Sequence, residues 1–313
     1  MGHRMKLRGN KGGGQKLKMD RSVDMEKQIG RFVNSTAEVK FLEMYDEAMN
    51  RWPDSRRELK LETSFGRTHV HSYGNGKGDP IVLLHGANGT SASWANNVVE
   101  LGEHHSVFAV DTIGDAGRSI QKAPIQHAED YAAWLDEVLQ GLGLKEVHLI
   151  GASYGGWITL NQAVHSPRLL QSITLLDPAR ALAGLTYRAW PFMLWASMIG
   201  PDFIRRAFIR WTDAGSLTEE NQTQLVVSAM RDYKMQRIPP QYVSDDELRS
   251  KVPVLLLLGE KSPMHISQRA AIRAKKLLQD VEVEILPQAG HKLPAYLVND
   301  RILRFIKYLP KTS

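Results

Sequence analysis

The sequence predicts an α/β protein, a mostly parallel sheet with helices on both faces and a helical insertion after its middle strands. Three observations carry this expectation. From residue 80 onward short apolar runs alternate with helical segments, the pattern of strands joined by crossover helices. The alternation stops at Pro178 and resumes at Val252. A glycine-flanked serine stands where one apolar run meets the helical segment that follows it, at Gly151-Ala-Ser-Tyr-Gly155.

Taken in order, the regular part reads as strand 80–84, a helix near 93–102, strand 106–111, helix 127–142, strand 146–150, helix 155–165 and strand 171–176. Strands 252–258 and 281–286 complete the sheet. Ahead of it, Val39, Leu42, Tyr45, Met49 and Trp52 recur at three- and four-residue steps, which predicts an amphipathic helix over 37–52 ended by Pro53. Residues 58–72 read as two strands around Gly66, with His69 and His71 on one face. Two histidines so spaced can bind a metal, but no third ligand is evident nearby, so no metal is expected. Tyr73-Gly-Asn-Gly-Lys-Gly-Asp79 is a turn and lacks the Gly-Lys-Ser/Thr of a phosphate loop.

The serine at 153 has the setting a nucleophile needs. Between a strand end and a helix start the chain must turn sharply, and small neighbours let the backbones approach while the hydroxyl is pushed into a cleft. The bland alternative is a serine that only caps the helix. A serine attacking a carbonyl also needs donors for the oxyanion, and the amides of Tyr154 and of Ala87, in the turn His85-Gly-Ala-Asn-Gly89, stand in the right settings. His85 itself reads as structural. Of the 11 histidines, His291 lies in a Gly-His loop just after the strand at 281–286, where it can take the serine's proton and later return it.

With these motifs the chain resembles the α/β-hydrolase superfamily, and most closely the cap-bearing bacterial carboxylesterases. The matching residues are His85-Gly86, Asp111 with Gly114 and Gly117, the turn at 151–155, the strand 252–258 with Gly259 and Glu260, and Gly290-His291. The Ile113-Gly-Asp115 stretch belongs to the same likeness, which covers roughly residues 58 to 310. One position departs from the family's pattern. The acidic member of the triad usually sits three residues after the glycine that ends the strand at 252–258; counted from Gly259, that is Ser262, which carries no charge. Asp177, at the end of the run 172–177 and before Pro178, is the favoured substitute, because some members such as certain haloalkane dehalogenases place their acid after this earlier strand. Glu260 is the alternative acid. If neither reaches His291, the scaffold would be a ligand-binding protein or a very slow hydrolase.

The insertion at 179–250 reads as a helical cap above Ser153, rich in large apolar residues such as Tyr187, Trp190, Phe192, Trp195, Phe208 and Trp211. Most are expected in its core and a few facing substrate; Asn88, Trp190 and Met264 are assigned to the substrate pocket. A second reading makes Leu185–Ile199 an exposed lid that docks on lipid. The expected divisions are a basic tail over 1–30, a hydrolase core over 31–178 and 251–313, and the cap between.

Composition agrees. At 42% hydrophobic the 313 residues can bury a large core. The absence of cysteine excludes disulfides, thiol catalysis and cysteine metal sites. The net charge of +6 lies entirely in residues 1–31, which hold nine Lys/Arg and three acids. That tail reads as a disordered extension with at most weak surface contact to anionic membranes, so no nucleic acid partner is expected. No apolar stretch follows its charges as in a secretory leader, and no run is long enough to span a membrane. The expectation is a cytoplasmic serine hydrolase that needs no cofactor and cleaves a small to medium hydrophobic carboxylic ester. A serine at 153 argues against the carboxylate-nucleophile chemistries of this fold. The Ala87-Asn88-Gly89 loop lacks the extra glycines of some esterases, which disfavours bulky tertiary-alcohol esters.

Overall fold

A computed structural model describes residues 29–309 apart from 75, 199, 215–218 and 249–250. The expected tail at 1–30 lies outside the described residues except for its last two positions. The parallel strands come first, because they carry the site. They are β4 (Gly78–Leu84), β5 (His105–Val110), β7 (Val147–Ala152), β8 (Leu170–Leu176), β10 (Val254–Gly259) and β11 (Val281–Leu286), following β1 (Arg31–Phe32), β2 (Arg57–Thr63) and β3 (Gly66–Tyr73) in the chain, with β6 (Ile120–Gln121) and β9 (Tyr233–Lys234) between. The main sheet runs β11-β10-β8-β7-β4-β5-β3-β2, with β6 beside β3. β2 and β3 are antiparallel additions to the parallel set.

The apolar runs that mark the parallel strands are buried on both faces, so they read as continuous rather than alternating. Their side chains still divide by the two-residue period of a strand. Val82, Leu84, Val254, Leu256 and Leu258 enter the core under one face, with Trp134, Trp157 and Ile158. Ile81, Leu83, Leu255 and Leu257 enter the other, with Trp94, Val98, Ile302 and Phe305.

Helices cover both faces: α1 (Ser35–Met49), α2 (Ala95–Gly102), α3 (Ala128–Gly141) and α4 (Tyr154–His165), then α5 (Ala189–Met198), α6 (Asp202–Thr212) and α7 (Glu220–Asp232), and last α8 (Ser267–Leu277) and α9 (Ala295–Tyr308). α1 differs from its expected span. It starts two residues earlier because the Asn34 side chain accepts from the Ala37 amide at 2.8 Å, and it ends at Met49, ahead of Pro53. Its buried stripe is Phe41, Tyr45, Ala48 and Met49, while Val39 is exposed. Trp52, beyond the helix, is still a core anchor.

The segment between β8 and β10 carries α5, α6 and α7, and also β9. β9 pairs antiparallel with β1, and Phe32 packs on Tyr233 with ring centroids 5.0 Å apart. Residues 31–32, expected in the hydrolase core, are thus strapped to the insertion. The expectation that most of its aromatics are core holds only in part. Phe192, Phe208 and Trp211 pack on one another, whereas Tyr187, Trp190, Trp195 and Phe203 are exposed. α5 is apolar all round (AWPFMLWASM), so whichever side packs, the other is left outside. Among the described residues no helix is long and apolar enough to cross a membrane.

A buried histidine in the sheet makes a prediction about acid. His148 on β7 has Nδ1 2.8 Å from Ser172 Oγ, and its Nε2 has no partner. Burial pushes its pKa from 6.5 down to about 4, with His105 lowering it further and Asp79 acting against. The unfolded chain therefore takes up this proton near pH 6.5 and the folded chain only near pH 4. The stability this group contributes is present above that window and is lost as pH falls through it. The loss is about 3 kcal/mol at most. Urea unfolding between pH 7 and pH 4 should show a shallower pH slope in His148→Gln than in wild type; equal slopes would refute the assignment.

Candidate active site

Ser153 sits where β7 becomes α4, with φ 52° and ψ −111°. A non-glycine residue in this region is strained by about 1–3 kcal/mol. The turn is held by backbone bonds from Ser153 N to Leu176 O at 2.9 Å, Ala179 N to Ser153 O at 2.9 Å and Trp157 N to Ser153 O at 3.1 Å. The glycines on either side are required by space. A Cβ at Gly155 would lie 2.2 Å from Leu84 O, and one at Gly151 would lie 2.2 Å from Gly155 O and 2.3 Å from Thr159 Oγ1. The serine side chain makes no capping bond to the helix. It reaches His291 Nε2 instead, at 2.7 Å.

His291 follows β11 on the loop 287–291, and its amide donates to Thr212 O at the end of α6, 2.8 Å away. On the far side of the ring, Nδ1 lies 2.5 Å from Asp177 Oδ2. Asp177 closes β8 in a left-handed conformation (φ 44°) and is wholly buried. Ser262 Oγ donates to Asp177 Oδ2 at 2.6 Å, and the Gly259 amide donates to Oδ1 at 2.9 Å. His265 Nε2 is 3.4 Å from Oδ1. Burial alone would raise the carboxyl's pKa; the neighbouring His265 and His291 outweigh it and hold the group well below the usual carboxylate range. An ionised Asp177 can only accept, so the Nδ1 proton of His291 is fixed toward it and the Nε2 lone pair faces the Ser153 hydroxyl.

Glu260 does something else. Its Oε2 accepts from the Gln288 amide at 2.9 Å, so it braces the loop that carries His291 from outside. Two residues at the Asp177 carboxylate carry no site assignment from the sequence. Ser262 was read only as a missing carboxylate, yet it donates to the carboxylate that stands there. The available signal for His265 is its position on the loop after β10, three residues past Ser262.

The turn after β4 abuts the serine: a Cβ at Gly86 would be 3.3 Å from Ser153 Cβ and 3.9 Å from its Oγ. His85 bonds backbone through both ring nitrogens, Nε2 accepting from Thr112 N at 3.0 Å and Nδ1 donating to Gly86 O at 2.8 Å. It sets this loop and does not approach the serine through its ring. Ala87 follows directly, and Tyr154 is the first residue of α4, where backbone N–H groups have no partner within the helix. The Tyr154 side chain points away, its hydroxyl donating to Ile238 O at 2.6 Å.

Of the expected pocket residues, Asn88 takes a left-handed turn (φ 58°) after Ala87. Met264 and Trp190 are linked through Thr186. The Thr186 amide donates to Met264 O at 2.9 Å, and the Trp190 amide reaches Thr186 O at 3.4 Å. Met264 is buried, while Trp190 is 51% exposed. The Ile113-Gly-Asp115 stretch receives the insertion's returning chain: Arg237 Nη1 is 3.1 Å from Asp115 Oδ2, and its guanidinium lies 4.3 Å from the Tyr154 ring centroid.

A sheet of this order, with a serine at a strand-to-helix turn and a histidine after the last strand, defines the α/β hydrolases. A model of the alpha/beta hydrolase family matches residues 81–303, and the chain belongs to that family. It is 32% identical over 291 residues to an uncharacterized carboxylesterase, nap, of Bacillus subtilis, covering 85% of this chain and 92% of that one. It is 31% identical over 281 residues to carboxylesterase YbfK of the same organism, covering 86% and 94%. The crystal structure of naproxen esterase from Bacillus subtilis is similar at a TM-score of 0.80 and 29% identity, covering 87% of this chain and 99% of that one.

Three substitutions test the local geometry. Gly151→Ala should destabilise the fold by about 3 kcal/mol, because the nearest clashing group is the Gly155 backbone of the turn itself, which cannot swing aside. Gly184→Ala, with nothing within 4 Å, should be neutral; equal unfolding midpoints for the two variants would contradict the crowding argument. Ser262→Ala should lower the unfolding free energy by about 1.5–3 kcal/mol, the worth of a hydrogen bond to a charged group, and an unchanged value would mean that Asp177 does not depend on it.

Proposed function

We propose that this protein is a serine carboxylesterase that works through an acyl-enzyme on Ser153. The observation that carries the proposal is the continuous relay from Asp177 Oδ2 through His291 to Ser153 Oγ, with contacts of 2.5 and 2.7 Å. Asp177 holds the His291 tautomer, and His291 Nε2 takes the hydroxyl proton as Oγ attacks the ester carbonyl. The amides of Ala87 and Tyr154 receive the oxyanion. His291 returns the proton to the leaving alcohol. Water, deprotonated by the same nitrogen, then attacks the acyl carbon, and carboxylic acid and free serine result. No step calls for a cofactor.

The carboxylesterase relatives support an ester as substrate. An acyl or alcohol group of small to medium size, apolar in character, suits a pocket formed by Asn88, Met264 and Trp190. The ligand-binding alternative requires that neither Asp177 nor Glu260 reach His291, and Asp177 Oδ2 lies 2.5 Å from its Nδ1, which supports turnover.

A fluorophosphonate probe followed by intact mass tests the nucleophile without a guess at substrate. A single adduct is expected on wild type and none on Ser153→Ala; a folded wild type that stays unlabelled would overturn the reading. On a model ester that wild type hydrolyses, Asp177→Asn should lower turnover by about 10⁴-fold, the usual consequence of losing the tautomer-setting acid. Glu260→Gln should leave it nearly unchanged, and the reverse ranking would make Glu260 the acid.

A further inference from the structure

The edge of the sheet opposite β11 carries a second cluster of chemistry-bearing side chains. His69 and His71 alternate on β3 and project from one face, with ring centroids 4.8 Å apart. β2 pairs antiparallel with β3, and the register sets Glu58 directly opposite His71. One ligand atom from each of the three lies within 4.8 Å of the other two, and His69 Nε2 is 3.6 Å from Glu58 Oε2. The two imidazoles are 2% and 1% exposed, whereas Glu58 opens to solvent. The third ligand that seemed lacking in the sequence is thus brought by strand pairing.

Proton accounting shows which atoms are free. The Tyr45 hydroxyl is 2.8 Å from His71 Nε2 and 3.0 and 3.1 Å from the Asp111 oxygens. Asp111 also accepts from Ser91 N and Oγ and from Arg118 N. It is ionised and can only accept, so the single Tyr45 proton goes to Asp111, and His71 Nε2 must itself carry the proton that it donates to the tyrosine oxygen. His71 Nδ1 is then a bare lone pair. It is buried without a partner, and so is His69 Nε2. Unpartnered buried ring nitrogens are uncommon, and a pair of them beside a carboxylate points to a cation.

We propose that Glu58, His69 and His71 bind a divalent transition-metal ion of the Zn²⁺ type. Two imidazoles and one carboxylate suit Zn²⁺, Ni²⁺, Co²⁺ or Cu²⁺ rather than Mg²⁺ or Ca²⁺. The 3.6 Å between His69 Nε2 and Glu58 Oε2 is close to the separation of ligands around zinc, whose bonds are about 2.0–2.2 Å. Glu58, being exposed, is free to swing in and close the wider gaps. Tyr45 and Asp111 supply the support that a ligating histidine usually receives through its other nitrogen. The bound ion would staple the edge strand β2 to β3 and, through Tyr45, to α1. This role is independent of the hydrolase reading.

The test uses the full, untagged chain, freed of metal by a chelator and titrated calorimetrically with ZnCl₂. Wild type should take up a single ion, and its thermal midpoint should rise with added zinc, because the ion binds only the folded state. Glu58→Gln, a change at an exposed position, should weaken binding at least about tenfold, and His69→Gln should abolish it. Ser153→Ala should bind zinc like wild type, and Glu58→Gln should still take the fluorophosphonate, so the two proposals fail separately. Absence of saturable uptake by wild type, or uptake undiminished in both Glu58→Gln and His69→Gln, would overturn the site.

Discussion

The buried negative charge of Asp177 is the constraint around which this end of the molecule is arranged. A carboxylate with no exposure to water costs several kcal/mol unless donors replace its hydration. Here they come from parts of the chain that are remote in sequence: the Gly259 amide at the end of β10, Ser262 on the loop after it, and His291 on the loop after β11. Satisfying the charge therefore pins the ends of three adjacent strands, β8, β10 and β11, to one another. The orientation of His291 is a by-product of the same bond, since an ionised acceptor allows one tautomer.

The insertion between β8 and β10 is coupled to that arrangement by backbone and by charge. Thr212 O holds the His291 amide, and the buried Arg237–Asp115 pair fastens the returning chain beside Tyr154. Arg237 keeps its charge there because Asp115 offsets the cost of burial. The pair β1–β9 straps the same insertion to the segment before α1. Three contacts of different kinds thus set where the insertion sits, while the aromatic face of α5 stays open.

Legibility from sequence followed the range of the interaction. The turn at Ser153 and the Gly-His loop are local patterns whose steric needs lie within a few residues, and both were readable. The parallel strands were readable because burial on both faces leaves unbroken apolar runs. The choice between Asp177 and Glu260 rested on which loop approaches His291, a matter of strand order. Glu260 stands nearer to the expected position in the chain, yet it turns outward to Gln288. The burial stripe of α1 was misjudged by a fraction of a turn because its partners, α7 and the sheet, are not adjacent in sequence.

The amino-acid sequence by itself determined the class of fold, the glycine-flanked turn at Ser153 and the histidine loop, because period, glycine spacing and chain order express those features directly. Only the tertiary structure decided what meets across them: Ser262 and His265 at the Asp177 carboxylate, Glu58 opposite His71, Arg237 against Asp115 and β1 against β9. The physical reason is the same in each case. A hydrogen bond or ion pair acts over about 3 Å, and which distant residues come that close depends on strand register and loop packing, which a linear pattern does not encode.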